Sequence, residues 1–404
     1  MSRSRKSVAV TGLGAITCLG DSAEEFFRRV RAGESALQHG LGLLPEANRS
    51  AAAARALDSK KLQMREPALR ERLAESEALS LAWIAANEAL AEAGWDGLGA
   101  EDGLILASTT GQVQYWESAL MGFLRDGSGT ERFAHVYGAQ PLGTLQADLQ
   151  KLFRHGGPTT LVASACSAAT QAIALATFWI RSGKTKRCLV GGVELLCRLT
   201  RSGFDSFQLL AKENCRPFDR SRGGINLSEG VAFLCLEAAE AKNPASYGFV
   251  RGAGSASDGC HMTAPHPEGA GYRRAMELAL CDAGLEPAAI DWIHAHGTGS
   301  LQNDIAESTA IHSLFGDKSP PVTSTKGAHG HALGASGALE SLLVLKAMRA
   351  GTLLPTTGFA EADPAIRVAV TRGASAAPLR HVMKSTLGFG GVNASLIFSQ
   401  EARA

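Results

Sequence analysis

The sequence predicts an α/β protein with helix-covered sheets, and three observations carry that reading. Short β-branched runs alternate with longer Ala-, Leu- and Glu-rich stretches from end to end. Gly94, Gly183 and Gly284 follow three of the helical stretches as C-terminal caps. No linker rich in Pro, Ser or charge separates independent units, and 404 residues at 45% hydrophobic content suffice for one large or two fused cores.

In chain order, a strand over 7–11 and a helix over 22–31 open the protein. Residues 43–72, rich in Ala, Arg and Leu, read as a helical surface excursion before a helix over 74–93. Strands follow over 103–108 and 160–162, then a helix over 167–181 and strands over 187–193 and 231–236. A soft break at 237–246 leads to a strand over 248–255, a helix over 271–283 and a strand over 292–296. The remainder reads as a helix over 305–315, a strand over 321–324, a helix over 336–350 and strands over 368–370 and 394–398. The halves 1–240 and 241–404 look alike in element order, without a sequence repeat that proves it.

Composition excludes several classes. With 40 basic and 39 acidic side chains the net charge is +1, so nucleic acid is not an expected partner. The eight cysteines form no C-x-x-C pair, which argues against zinc ribbons and a disulfide framework and for reduced thiols in a cytosol. Met-Ser-Arg-Ser-Arg-Lys runs directly into Val8, leaving no apolar stretch for a signal peptide, so the expectation is a cytoplasmic protein. Residues 156–180 carry no charge and are long enough to cross a bilayer. Their alanines, with Ser164, Ser167, Thr170, Gln171 and Thr177, suit a helix packed by protein on all sides, and no membrane is expected.

Most cysteines are small buried hydrophobes. Cys166 differs because it follows a strand and opens the uncharged helix, where N-terminal amides favour a thiolate. Two glycine-flanked histidine clusters supply partners: His294-Ala-His296-Gly-Thr-Gly and Lys326-Gly-Ala-His329-Gly-His331. Each follows an apolar strand, at the strand end where α/β proteins build sites.

Together these segments resemble the β-ketoacyl-[acyl-carrier-protein] synthases. The residues concerned are Val162-Ala-Ser-Ala-Cys166, His296-Gly-Thr-Gly-Ser-x-x-Asn-Asp304-x-x-Glu307, Lys326-x-x-x-Gly-His331 with Glu340, and Leu387-Gly-Phe389-Gly-Gly-x-Asn393. Val10-Thr-Gly-Leu-Gly14, Cys215-Arg-Pro-Phe-Asp219 and Asp258-x-x-His261 add to the likeness, which runs in order from residue 8 to 398. The resemblance implies a thiolase-like fold of duplicated βαβ halves in five α-β-α-β-α layers, usually a homodimer. It implies decarboxylative condensation, with Cys166 as nucleophile, His296 and His331 as donors to a malonyl thioester carbonyl, and the Cys166 and Phe389 amides as oxyanion hole. Lys326 and Glu340 would hold the second histidine, Asp304 and Glu307 would brace the loop, and Phe389 would gate the cysteine. Thr298 and Ser300 would contact a phosphopantetheine arm, and Phe204, Thr109, Thr110 and Gly390, with Gln112 and Trp116, would line the substrate side. The implied partner is acyl carrier protein, with no metal and no other cofactor. A heterodimer with a chain-length-factor-like subunit is a further possibility.

Two positions depart from the family pattern: His294 stands where Asn is usual and His329 where Thr is usual. The resulting H-x-H pairs, His294/His296 and His329/His331, suit metal chelation, so a zinc hydrolase is the rival from another class. A chain-length factor is the non-catalytic alternative, which the presence of Cys166 disfavours. A degradative thiolase would need a second cysteine in 385–391, where none stands. Gly12-Leu-Gly14 lacks the third glycine of a dinucleotide fingerprint. Lys60, Lys61, Arg65, Arg70 and Arg72 form a basic cluster suited to an acidic carrier.

Overall fold

The apolar runs become strands buried on both faces. On β4 (Arg187–Glu194), Cys188 and Val190 enter one core while Leu189 and Val193 enter another. Likewise β2 (Gly103–Ala107) sends Ile105 and Ala107 to one side and Leu104 and Leu106 to the other. This two-sided burial is what helix-covered sheets require of their strands.

The computed structural model describes residues 7–58, 66–239 and 246–401. The other main strands are β1 (Ser7–Thr17), β3 (Thr159–Val162), β5 (Gly230–Ala239), β6 (Gly248–Ser257), β7 (Trp292–His294), β8 (Val322–Thr323), β9 (His381–Gly388) and β10 (Val392–Ser399). The first half orders them β3-β2-β4-β5-β1 and the second β8-β7-β9-β10-β6, the same path displaced by five labels. Pairing senses repeat as well: parallel β3/β2/β4 and β8/β7/β9, antiparallel β4/β5/β1 and β9/β10/β6. The halves join where Ala9 and Val10 of β1 pair with Phe249 and Gly248 of β6.

Helices α1 (Glu77–Glu92), α2 (Ala168–Ser182), α3 (Ala270–Ala283), α4 (Leu301–Phe315) and α5 (Ser336–Ala350) complete the layers. Helices α2 and α5 pack together in the centre, α1 covers β1 and β5, and α3 covers β6 and β10 with α4 beside it. This is the five-layer arrangement. Glycine sets the outer spacing: a Cβ on Gly12 or Gly14 of β1 would strike the Ala89 or Ala85 carbonyl of α1. On β6, Gly252 and Gly254 meet the Ala279 and Ala275 carbonyls of α3 in the same way. Val10-x-Gly-x-Gly14 and Val250-x-Gly-x-Gly254 are thus one packing device used twice, and Gly12-Leu-Gly14 serves helix contact.

Several expectations change. The helix over 74–93 is two helices, Pro67–Glu75 and α1, divided at Ser76, whose hydroxyl caps α1 by accepting from the Leu79 amide. The described part of the excursion over 43–72 is no surface appendage, since Leu44, Ala52, Ala56 and Leu69 join the outer core. Strand β7 stops at His294, two residues early. Residues 368–370 make no full strand, but the Ala369 carbonyl accepts from the Val322 amide and so closes the β8 edge. The opposite edge, β3, is half-buried along its length, and no described segment beyond β2 pairs with it. Among the described residues no helix is long and apolar enough to cross a membrane; the uncharged stretch forms the buried helix α2. Residues 240–245 of the soft break, and Lys60, Lys61 and Arg65 of the basic cluster, lie outside the described residues.

Candidate active site

Between β3 and α2 the chain turns through Ala165, held at φ +49°. A left-handed alanine is strained, and such strain concentrates at functional turns. It sets Cys166 just before the first turn of α2, almost fully buried. His296 lies two residues past β7, and His331 lies just past the short helix Lys326–His329. The Cys166 sulfur and one nitrogen from each imidazole come within 4.8 Å of one another. The two rings meet edge to face, with centroids 5.1 Å apart. One half of the fold therefore brings the cysteine and the other both histidines. All three border a cavity of about 520 Å³ that also includes Thr298, Ser300 and Phe389.

Hydrogen bonding distinguishes the two histidines. Lys326, expected to hold the second histidine, holds the first instead: its Nζ lies 3.3 Å from His296 Nδ1 and donates to the His296 carbonyl at 2.7 Å. An ammonium only donates, so Nδ1 must be the acceptor and His296 presents Nε2–H to the trio. His331 Nδ1 instead faces the Ser336 hydroxyl at 2.9 Å. A hydroxyl can give or take, so His331 is free to change tautomer. Burial, followed by the charge of Lys326, holds both imidazoles well below their usual range, and both are neutral near pH 7.

Cys166 departs from the thiolate expectation. Burial pushes its thiol up to about 11, against the pull of Lys326 and of the Phe389 and Cys166 amides. Desolvation of the charged form outweighs the helix start, so the resting group is a thiol. The Phe389 and Cys166 amides reach the sulfur; to serve as an oxyanion hole they would donate to the carbonyl oxygen of an acyl group carried there.

Below the trio lies a buried polar layer. Lys326 bonds Glu340, whose other oxygen is 3.0 Å from the Nζ of Lys384. All three are fully buried. Two cations on one carboxylate hold Glu340 well below the usual carboxylate range despite burial. His294 Nε2 meets the Thr325 hydroxyl at 3.1 Å, which meets His329 Nε2 at 2.9 Å. The H-x-H pairs are therefore split, with His294 joined to His329 below and His296 to His331 above. Alternation along a strand fails here because β7 ends at His294. The four imidazoles share no metal-sized centre among the described residues. Within Cys166, His296 and His331, the Lys326 contact turns a proton where a metal needs a lone pair. Neither finding fits a zinc hydrolase built on four histidines.

The loops are braced by carboxylates. Glu307 accepts from the His296 and Gly297 amides at 2.6 and 2.7 Å and from the Tyr272 hydroxyl. Asp304 accepts from the Thr298 amide at 3.0 Å and the Phe218 amide at 2.8 Å. On the substrate side Thr298 and Ser300 border the cavity, but Thr109 and Thr110 do not. Both threonine amides and the Thr110 hydroxyl are committed to buried Glu194, which also takes the Gly334 amide. Gln112 is likewise turned to Asp148 and Thr144, and Trp116 packs in a separate small cluster. Phe204 stands behind Phe389, the rings stacked at 5.4 Å, and Gly390 gives its amide to the Met262 carbonyl. Lys384, Ser336, Thr325 and Glu194 are not marked by the sequence: Lys384 and Glu194 bond remote residues such as Glu340 and Thr110, while Ser336 and Thr325 bond His331 and His329 nearby without any motif that flags them.

The family model described as "Beta-ketoacyl synthase, N-terminal domain" matches residues 5–242, and "Beta-ketoacyl synthase, C-terminal domain" matches 247–360. Nodulation protein E of Rhizobium meliloti is 33% identical over 98% of this chain and 99% of its own length. The 3-oxoacyl-[acyl-carrier-protein] synthase 2 of Synechocystis is 30% identical over 98% of both. Among solved structures, the ishigamide ketosynthase/chain length factor superposes with a TM-score of 0.87 at 29% identity, over 98% of this chain and 100% of that one.

Proposed function

We propose that this chain, which belongs to the beta-ketoacyl synthase family, is a catalytically competent 3-oxoacyl-[acyl-carrier-protein] synthase that elongates a fatty-acid- or polyketide-type acyl chain. The observation that carries the reading is the meeting of Cys166, His296 and His331 within 4.8 Å beside a cavity. In the first half-reaction the Cys166 thiol adds to an acyl thioester carbonyl. His331 Nε2 takes the thiol proton, because it is the imidazole whose partner lets it change tautomer. The Cys166 and Phe389 amides hold the oxyanion, and collapse expels the carrier thiol, which leaves with that proton.

In the second half-reaction a malonyl thioester carbonyl accepts Nε2–H from both histidines. The bond to the carboxylate breaks, carbon dioxide leaves, and its electron pair becomes the enolate those donors stabilise. The carbanion attacks the acyl-Cys166 carbonyl, the C–S bond breaks with its electron pair on sulfur, and the Cys166 thiolate takes a proton from solvent as the β-ketoacyl thioester departs. Thr298 and Ser300, whose hydroxyls lie 3.0 Å apart at the cavity wall, suit a phosphopantetheine arm. Phe389, stacked on Phe204, suits a gate over the acyl group.

The substrate carrier is an acyl carrier protein, and exposed Arg70 is the described member of the basic cluster suited to dock it; Arg72 is taken by Asp148 at 2.9 Å. The unpaired β3 edge, next to the nucleophile turn, suits either a second copy or a chain-length-factor-like subunit. Intact-protein mass spectrometry after incubation with acyl carrier thioester tests the assignment. An acyl adduct on Cys166, absent from Cys166→Ala together with all condensation, supports it. Undiminished condensation by Cys166→Ala would reduce the chain to a non-catalytic partner subunit.

A further inference from the structure

Lys384 has no place in the condensation steps, yet it is fully buried among the groups that organise them. It sits on β9, in register with His294 of β7, on the strand that runs directly into Phe389. Its ammonium reaches three elements. It lies 3.0 Å from Glu340 on α5, 3.0 Å from the Thr170 hydroxyl on α2, and bonds Thr386 of its own strand. Thr170 is one turn beyond Cys166 and lies 2.8 Å from Thr386. Helices α2 and α5 cross tightly here, since a Cβ on Gly337 would collide with Thr170.

Charge points the same way. Lys326 and Lys384 share the single carboxylate of Glu340 in a layer without solvent; burial lowers the pKa of the Lys384 ammonium and the Glu340 charge opposes that, and with both lysines protonated the layer carries one net positive charge. The remaining ionisable neighbours are His294 and His329 in the layer, His296 and His331 above it, Glu307 behind the His296 loop and Glu194 on the far side of Cys166.

We propose that Lys384 is a positioning residue of this site: it fastens the nucleophile helix, the Glu340–Lys326 pair and the strand leading to the Phe389 amide to one ammonium, and supplies the uncompensated positive charge beneath Cys166 and the histidines. The role builds on the condensation reading, but its electrostatic part can be measured without turnover. A net cation favours the Cys166 thiolate and opposes protonation of His331 and of His296, the latter of which must stay neutral to accept from Lys326.

The test pairs two substitutions of opposite sign in the full-length protein. Lys384→Met removes the excess charge, so the pH profile of Cys166 alkylation by iodoacetamide moves up by roughly half to one unit. Glu340→Gln leaves two cations unbalanced, and the same profile moves down. In malonyl thioester decarboxylation the acid limb of Lys384→Met moves up, because the histidines protonate more readily. Thr170→Val keeps the charge and loses the tie, lowering the rate without moving either profile. An unmoved alkylation profile in Lys384→Met, or in Glu340→Gln should the former not fold, overturns the proposal and leaves Lys384 a packing residue. A shift in Thr170→Val equal to that of Lys384→Met overturns it too. Absence of decarboxylation by the unmodified protein would instead refute the condensation reading, while the alkylation profiles still decide the role of Lys384.

Discussion

Replacing Lys326 by methionine should turn the catalytic trio into a metal site. Cys166, His296 and His331 already place three ligand atoms within 4.8 Å, a donor set suited to zinc or cobalt with an open fourth position. What opposes a metal is the ammonium 3.3 Å from His296 Nδ1. To ligate through Nε2, His296 would have to move its proton to Nδ1, giving up a charge-assisted hydrogen bond worth about 1.5–3 kcal/mol. That difference corresponds to about 10- to 150-fold in affinity. Methionine keeps the length of the side chain and removes the obstacle. Glu340 keeps Lys384 at 3.0 Å, so the variant avoids the full cost of a stranded buried charge, about 3–5 kcal/mol. Cobalt titration followed by thiolate charge-transfer absorption reads the result. Lys326→Met should bind at least tenfold more tightly than the unmodified protein, by about the lower bound above, and should lose the band when Cys166→Ala is added. Equal affinity in the two proteins would refute the tautomer argument, and with it the assignment of His296 as a fixed Nε2–H donor.

Three further outcomes follow from the geometry. His294, His296, His329 and His331 are all pushed below 6.5 by burial, His294 to about 3 and His329 to about 4. The unfolded chain binds more protons below that pH, so stability is complete above 6.5 and falls as pH drops, by about 1.4 kcal/mol per histidine one unit lower; urea midpoints across this window measure it, and His294→Asn with His329→Thr should remove about half of the histidine contribution to the slope. Gly12→Ala and Gly252→Ala should each cost about 1–3 kcal/mol or more by forcing a strand off its covering helix, read as a lowered Tm, and near-neutral values would contradict the shared packing device. Arg70→Glu should raise KM for the carrier-bound substrate and leave turnover of a small thioester unchanged, whereas equal effects on both would dispose of Arg70 as a docking residue.

His296 and His331 were legible because each sits in a short glycine-flanked segment after an apolar strand, and Cys166 because it stands between a strand and an uncharged helix, where local sequence and local geometry coincide. What local pattern could not supply was the balance of opposing effects. Starting a helix argues for a thiolate at Cys166, yet its burial decides the matter and the thiol is raised. Alternation argues for paired chelation by His294 and His296, yet it holds only while the strand lasts, and β7 ends between them. The duplication was written as Val10-x-Gly-x-Gly14 and Val250-x-Gly-x-Gly254, but the first copy reads as an incomplete nucleotide loop until two helices are seen against the two strands. Lys384 is the most instructive omission. No strand is among the expectations for 381–388, and the Lys-Ser-Thr run at 384–386 is where the sequence departs from the rule that buried strands are apolar. A local rule broken inside a core needs a compensating partner, and here the partners are Glu340, Thr170 and Thr386, remote or local groups converging on one ammonium. A polar interruption in an otherwise core-like strand is therefore better read as a pointer to the site than as evidence against the strand.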